Sequence, residues 1–192
     1  MRKVKKIPVA VGLSLVALEL ILSALILIFL PDLRLPFEPA SSETIALLVS
    51  MGLIFFAAHP LGHFLVGLFF GVRTRYFFVA PSDFRKLDFG FARKLGGMLP
   101  TIGTKFDSSQ LSSLGGSSAK RKRRGVIMGS GVIVSNALTL VPLVYAFALH
   151  FLPLALALGS VLFGANLIVE LAFSTKVGDL YKMRREFATT QK

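Results

Sequence analysis

His59 and His63 stand four residues apart in Phe56-Ala-Ala-His59-Pro60-Leu61-Gly62-His63, within an apolar stretch long enough to cross a membrane. Spacing of four puts both imidazoles on one face of a helix, one turn apart. Two rings so placed can chelate one zinc ion, as in the H-E-x-x-H motif. The position that carries the motif's glutamate is Pro60. The pattern keeps a metal grip and drops the usual base. Histidine pairs also occur as hydrogen-bonded packing residues, but ionisable side chains at membrane depth mark functional sites more often.

The elements that must position this pair are membrane helices. The chain has 192 residues, 54% of them apolar, with 18 Phe and no Cys. Soluble domains carry about 45–50% apolar residues even with Gly counted. A bilayer crossing takes about 20 apolar residues, and four segments qualify: roughly 7–30, 44–70, 126–151 and 154–173. The reading is an all-α membrane protein, one polytopic domain over residues 1–192. It has four transmembrane helices, a loop 71–125 containing short β-structure, and a tail 174–192. The first segment follows Met1-Arg-Lys-Val-Lys-Lys6, but it is too long for a signal-peptide core and no A-x-A site follows, so a retained helix is expected. Without cysteine, disulfides and thiolate metal sites are excluded.

Charge sets the expected orientation. Lys and Arg number 4 before the first helix, 1 between helices one and two, 12 between two and three, none between three and four, and 5 after four. The positive-inside rule then places both termini and the 71–125 loop in the cytoplasm of an integral cell-membrane protein. The net charge of +12 is mostly this orientation signal. Lys120, Arg121, Lys122, Arg123 and Arg124 read as a juxtamembrane run facing anionic lipid, and no nucleic-acid partner is expected.

Along the chain, Glu19 lies in the middle of helix one, where a lone acid faces protein or water. Pro60 predicts a kink beside the histidines. Gly71 is a natural helix stop, and residues 72–79 read as a strand. Phe84, Phe89, Phe91, Leu95 and Leu99 are numerous for a solvated linker, and some of this loop is expected to pack against the helices or dip into the membrane interface. Residues 108–118 read as a mobile Ser/Gly-rich linker. Gly125, Gly129, Ser130 and Gly131 suit close helix packing. In helix four, Asn166 and Glu170 share a face. Asp179 reads locally as the cap of a short final helix.

The order of these features resembles the site-2 protease family of intramembrane zinc metalloproteases, from about residue 55 to 182. The features are His59-x-x-x-His63, the Gly71-Val72-Arg73 turn into a strand, Gly96-Gly97-Met-Leu-Pro100-Thr-Ile-Gly103, Arg123-Arg124-Gly-Val-Ile-Met128-x-x-Gly131, and an aspartate after a later helix. The resemblance implies His59, His63 and Asp179 around zinc, inside the membrane, reached from the cytoplasmic side. Three positions depart from it: Pro60 in place of the glutamate, Gly131-Val132-x-x-Ser135 in place of G-P-x-x-N with Asn136 one position late, and Gly178-Asp179 in place of D-G.

In the family's chemistry zinc polarises a peptide carbonyl and acidifies a water whose proton the glutamate takes. Proline cannot take a proton. The first expectation is therefore a proteolytically silent relative that binds metal or a client transmembrane segment. An active metalloprotease would need a displaced base, with Glu19 and Glu170 as candidates. A small metal-ion transporter or sensor is the third reading, and the outer halves of the helices offer few polar groups to line its path.

Overall fold

The computed structural model describes the backbone of residues 5–29, 39–81, 100–114, 117–150, 153–173 and 178–188. Side chains are described for all of these except 39–41, 81, 100, 101, 169, 170, 172 and 173. In chain order the elements are β1 (Lys5–Ile7), α1 (Val9–Phe29), α2 (Pro39–Phe69), β2 (Thr74–Pro81), β3 (Pro100–Phe106), α3 (Ser108–Ser113), α4 (Ser118–Ala148), α5 (Pro153–Phe173) and α6 (Asp179–Ala188). The expected packing of Phe84, Phe89, Phe91, Leu95 and Leu99 lies outside the described residues, as does the side chain of Glu170.

Among the described residues, three helices are long and apolar enough to cross a membrane: Val9–Phe29, Ser42–Phe69 and Ser118–Ala148. The fourth, α5, is a 21-residue helix whose described apolar stretch is Pro153–Ile168. Helix α1 buries a single stripe, Gly12, Val16, Ser23 and Leu27. Its other faces expose Leu18, Ile21, Leu22, Leu25 and Ile28, as suits a helix against lipid. Ser23 and Ser50 bond to each other through their hydroxyls at 2.5 Å, joining α1 to α2. Small hydroxyl residues let two helices approach while satisfying polar groups that lipid would leave bare.

Helix α2 remains helical through Pro60. It stops at Gly71, whose φ of 73° favours glycine. Val72 N–H bonds to Gly67 O and Gly71 N–H to Leu68 O, the paired bonds of a Schellman C-cap. The chain then enters an antiparallel sheet of order β1-β2-β3. Strand β1 is not anticipated by the sequence reading, which starts the first helix at residue 7. Its partners are Lys5↔Val79, Lys6↔Phe78 and Ile7↔Phe77. Phe77 is wholly buried and its ring lies where a Cβ on Gly12 would stand. This contact seats the sheet on α1.

Two corrections concern the loop. Residues 108–113 are helical rather than a mobile linker, because the Asp107 side chain caps the first turn by accepting from Ser109 N–H at 2.9 Å. Leu111 and Leu114 then pack on a buried cluster of Val72, Phe106 and Ile127. Burial of side chains of this size stabilises by about 1.5–3 kcal/mol each where they leave water. The loop also ends earlier than residue 125: α4 starts at Ser118, so the basic run forms its first turns. Within that run Lys120, Lys122 and Arg123 are exposed, while Arg124 is drawn to Glu186 of α6 at 3.4 Å. A second cluster, Leu47, Met51, Ala146 and Ala155, joins α2, α4 and α5. Asn166 Nδ2 donates to Asn136 Oδ1 at 3.2 Å, linking α5 to α4.

Candidate metal centre

Helix α2 presents His59 and His63 with ring centroids 5.1 Å apart and planes nearly perpendicular. The second ring is fixed from behind. His63 Nδ1–H donates to the backbone carbonyl of Ile127 on α4 at 2.8 Å. That oxygen also accepts from Ser130 Oγ at 2.8 Å. A carbonyl can only accept, so the proton of neutral His63 is on Nδ1 and its Nε2 carries a lone pair. Outer partners of this kind orient metal-ligating histidines.

The third residue arrives from the far end of the chain. Gly178, with φ of 89°, turns into α6, and Gly178 O accepts from Lys182 N–H at 3.2 Å. Asp179 is thus the first residue of α6 rather than its cap, which frees its side chain to face α2. Helix α6 is held on α4 by side chains over glycines: a Cβ on Gly129 would collide with Met183, and one on Gly125 would press on Phe187.

Asp179 Oδ2 lies 3.1 Å from His59 Nε2 and 3.0 Å from His63 Nε2. Its Oδ1 accepts from Lys182 Nζ at 2.7 Å. The three ligand atoms all fall within 4.8 Å of one another, so the group could hold a metal ion. Gly131 completes the cradle: a Cβ there would run into His63 Nε2 and crowd His59 Nε2. Side-chain exposure is 27% for His59, 15% for Asp179 and 8% for His63. Access is therefore from the His59 side.

The chemistry of the donors tests the fit. A neutral His63 turns a lone pair toward a carboxylate oxygen at 3.0 Å, which is repulsive unless a cation or an extra proton lies between them. Burial acts to raise the Asp179 carboxyl, but with an extra proton on His63 Nε2 the hydrogen bonds from His59 and His63 and the charges of His63 and Lys182 outweigh it. The carboxyl is held well below the usual carboxylate range. It is ready to ligate as an anion, and two nitrogens with one oxygen are a suitable donor set for zinc.

Pro60 is fully buried, and its carbonyl accepts from Thr104 Oγ1 of β3 at 3.2 Å. The position of the motif's glutamate thus serves to dock the sheet. Glu19 is not part of the ligand group. Since Ser23 is level with Ser50 on the antiparallel α2, Glu19 is level with residue 54, about 7–8 Å along the axis from His59. Its Oε2 is buried without a hydrogen-bond partner. Asn136, at the position offset from the family's asparagine, donates to Val132 O at 2.9 Å and accepts from Asn166.

Sequence reasoning missed Lys182 and the special place of Gly131. The Asp-x-x-Lys spacing was the available signal for Lys182. Gly131 was grouped with the packing glycines, and nothing local distinguishes it from Gly129. Comparison with protein-family models, curated proteins and solved structures finds no match to this chain.

Proposed function

We propose that this is a site-2-protease-like integral membrane protein that binds one zinc ion through His59, His63 and Asp179 and has little or no proteolytic activity. One observation carries the reading: two imidazole nitrogens, one of fixed tautomer, converge on a single carboxylate oxygen. A bound divalent ion would supply Lewis acidity toward a carbonyl oxygen. The chain's own residues supply the rest. Ile127 and Ser130 orient His63, Lys182 holds Asp179, and the exposed edge of His59 admits a client. A transmembrane segment is the client class that suits a site whose histidines stand on the apolar helix α2.

What the residues do not supply is a base. Pro60 has no proton acceptor on its side chain, and a general base contributes about 10²–10⁴-fold. The proposed arrangement is four crossings, with both termini, the sheet and the metal centre toward the cytoplasm, by the distribution of Lys and Arg. Lys120, Lys122 and Arg123 at the start of α4 then face anionic headgroups.

The test is metal analysis of purified wild type beside His59→Ala and Asp179→Ala. Wild type should carry about one equivalent of zinc, and each variant should lose it. Wild-type protein that emerges metal-free after expression and purification with added zinc would overturn the reading.

A further inference from the structure

Asp179 has two carboxylate oxygens and offers only one to the histidines. Oδ2 faces both imidazoles, whereas Oδ1 takes a 2.7 Å hydrogen bond from the Lys182 ammonium. The two residues are one turn apart on α6, so the pairing is built into the helix. The helix itself is anchored by Met183 and Phe187 on the glycines of α4 and by Glu186 beside Arg124. The carboxylate end of the contact is the more enclosed, with side-chain exposure of 15% for Asp179 against 45% for Lys182.

Charge-assisted hydrogen bonds to carboxylate are short and roughly twice as strong as neutral ones. A carboxylate with one oxygen so held reaches a metal through the other. We propose that Lys182 is a positioning residue that makes Asp179 a one-oxygen ligand and thereby sets which metals the centre accepts. The inference rests on the metal-binding reading given above. With one oxygen and two imidazoles the protein offers three ligands, the set that suits four-coordinate zinc or cobalt. Calcium takes 6–8 oxygen ligands and magnesium six, and both lose ground when a carboxylate is restricted and a positive charge stands beside it. Without the lysine, Oδ1 is free to turn to the metal, and the site becomes more oxygen-rich and more permissive.

The experiment uses the full chain in detergent, loaded with cobalt(II), whose visible absorption is intense when four-coordinate and weak at higher coordination. Wild type, Lys182→Met and Lys182→Arg are compared. Wild type and Lys182→Arg should share an intense spectrum. Lys182→Met should bind cobalt with absorption at least about twofold weaker, as the second carboxylate oxygen joins. An unchanged spectrum in Lys182→Met would overturn the positioning role and leave the metal centre standing. Loss of cobalt from Lys182→Met and Lys182→Arg alike would also overturn it, by making the lysine part of the fold of α6. Cobalt and zinc both absent from wild type would overturn the centre and the inference together.

Discussion

His63 Nε2 and Asp179 Oδ2 face each other at 3.0 Å with no proton to share when His63 is neutral, because its one N–H is spent on Ile127 O. The pair is poised for a cation, and the protein's stability should depend on having one. Asp179→Asn is the discriminating change, since it keeps shape and removes charge. With zinc present, wild type should melt higher than Asp179→Asn. After chelation the order should narrow or reverse, because the amide can donate to the lone pair that the carboxylate repels. Thermal unfolding in detergent with and without chelator checks this.

Gly131 tests the cradle from the opposite side. A methyl group there cannot coexist with the present position of His63 Nε2. Gly131→Ala should weaken zinc binding on the order of tenfold or more, comparable with the loss of a supporting residue at other metal sites. Gly164→Ala is the control, because a Cβ at Gly164 meets nothing within 4 Å. It should keep wild-type metal content, with a gain of up to about 1 kcal/mol in helix stability.

The carboxylate ligand survives mild acid. A carboxyl whose folded pKa is depressed contributes stability above its unfolded value and loses it as pH falls through the folded one. Asp179, held well below the usual range, therefore stays ionised through mild acid. Zinc affinity measured from neutral pH into mild acid should be lower in Asp179→Asn than in wild type throughout, because the carboxylate stays charged across that range.

Restoring the glutamate as Pro60→Glu should leave zinc bound and yield at most weak cleavage of transmembrane substrates. Pro60 is buried against β3, so a longer side chain costs about 1–3 kcal/mol through overpacking. A cleavage panel should show no turnover by wild type. Robust wild-type cleavage that disappears in Glu19→Gln or Glu170→Gln would identify a displaced base and defeat the silent reading.

Orientation is checked with single cysteines, a clean background in a chain that has none. A cysteine at Ser117 should label only after the membrane is permeabilised, and one at Ser41 should label from outside intact cells.

What could be read ahead of the structure was whatever has a local period. His59 and His63 share a face because a helix repeats every 3.6 residues, and Gly71 stops that helix because of its own backbone freedom. Asp179 was different. Read alone it looked like a cap, and only the resemblance joined it to the histidines. The turn at Gly178 that brings it back is a tertiary event. Strand β1 was hidden for the same reason, since its residues pair with partners 70 to 74 positions away. The helix at Ser108–Ser113 was readable in principle from Asp107, but the Ser/Gly content outweighed one capping residue.

The chain has no cysteine, yet His59 and Asp179 meet across 120 residues. A metal ion bound there would act as a removable cross-link between the middle of the chain and its tail. Unlike a disulfide, such an ion stabilises by binding the folded state rather than by restricting the unfolded one, and a chelator rather than a reductant undoes it. Helix α6 is consequently a gauge of occupancy. Cleavage by a soluble protease within α6 should be slow with zinc and faster without it, reporting the state of the centre from the aqueous side.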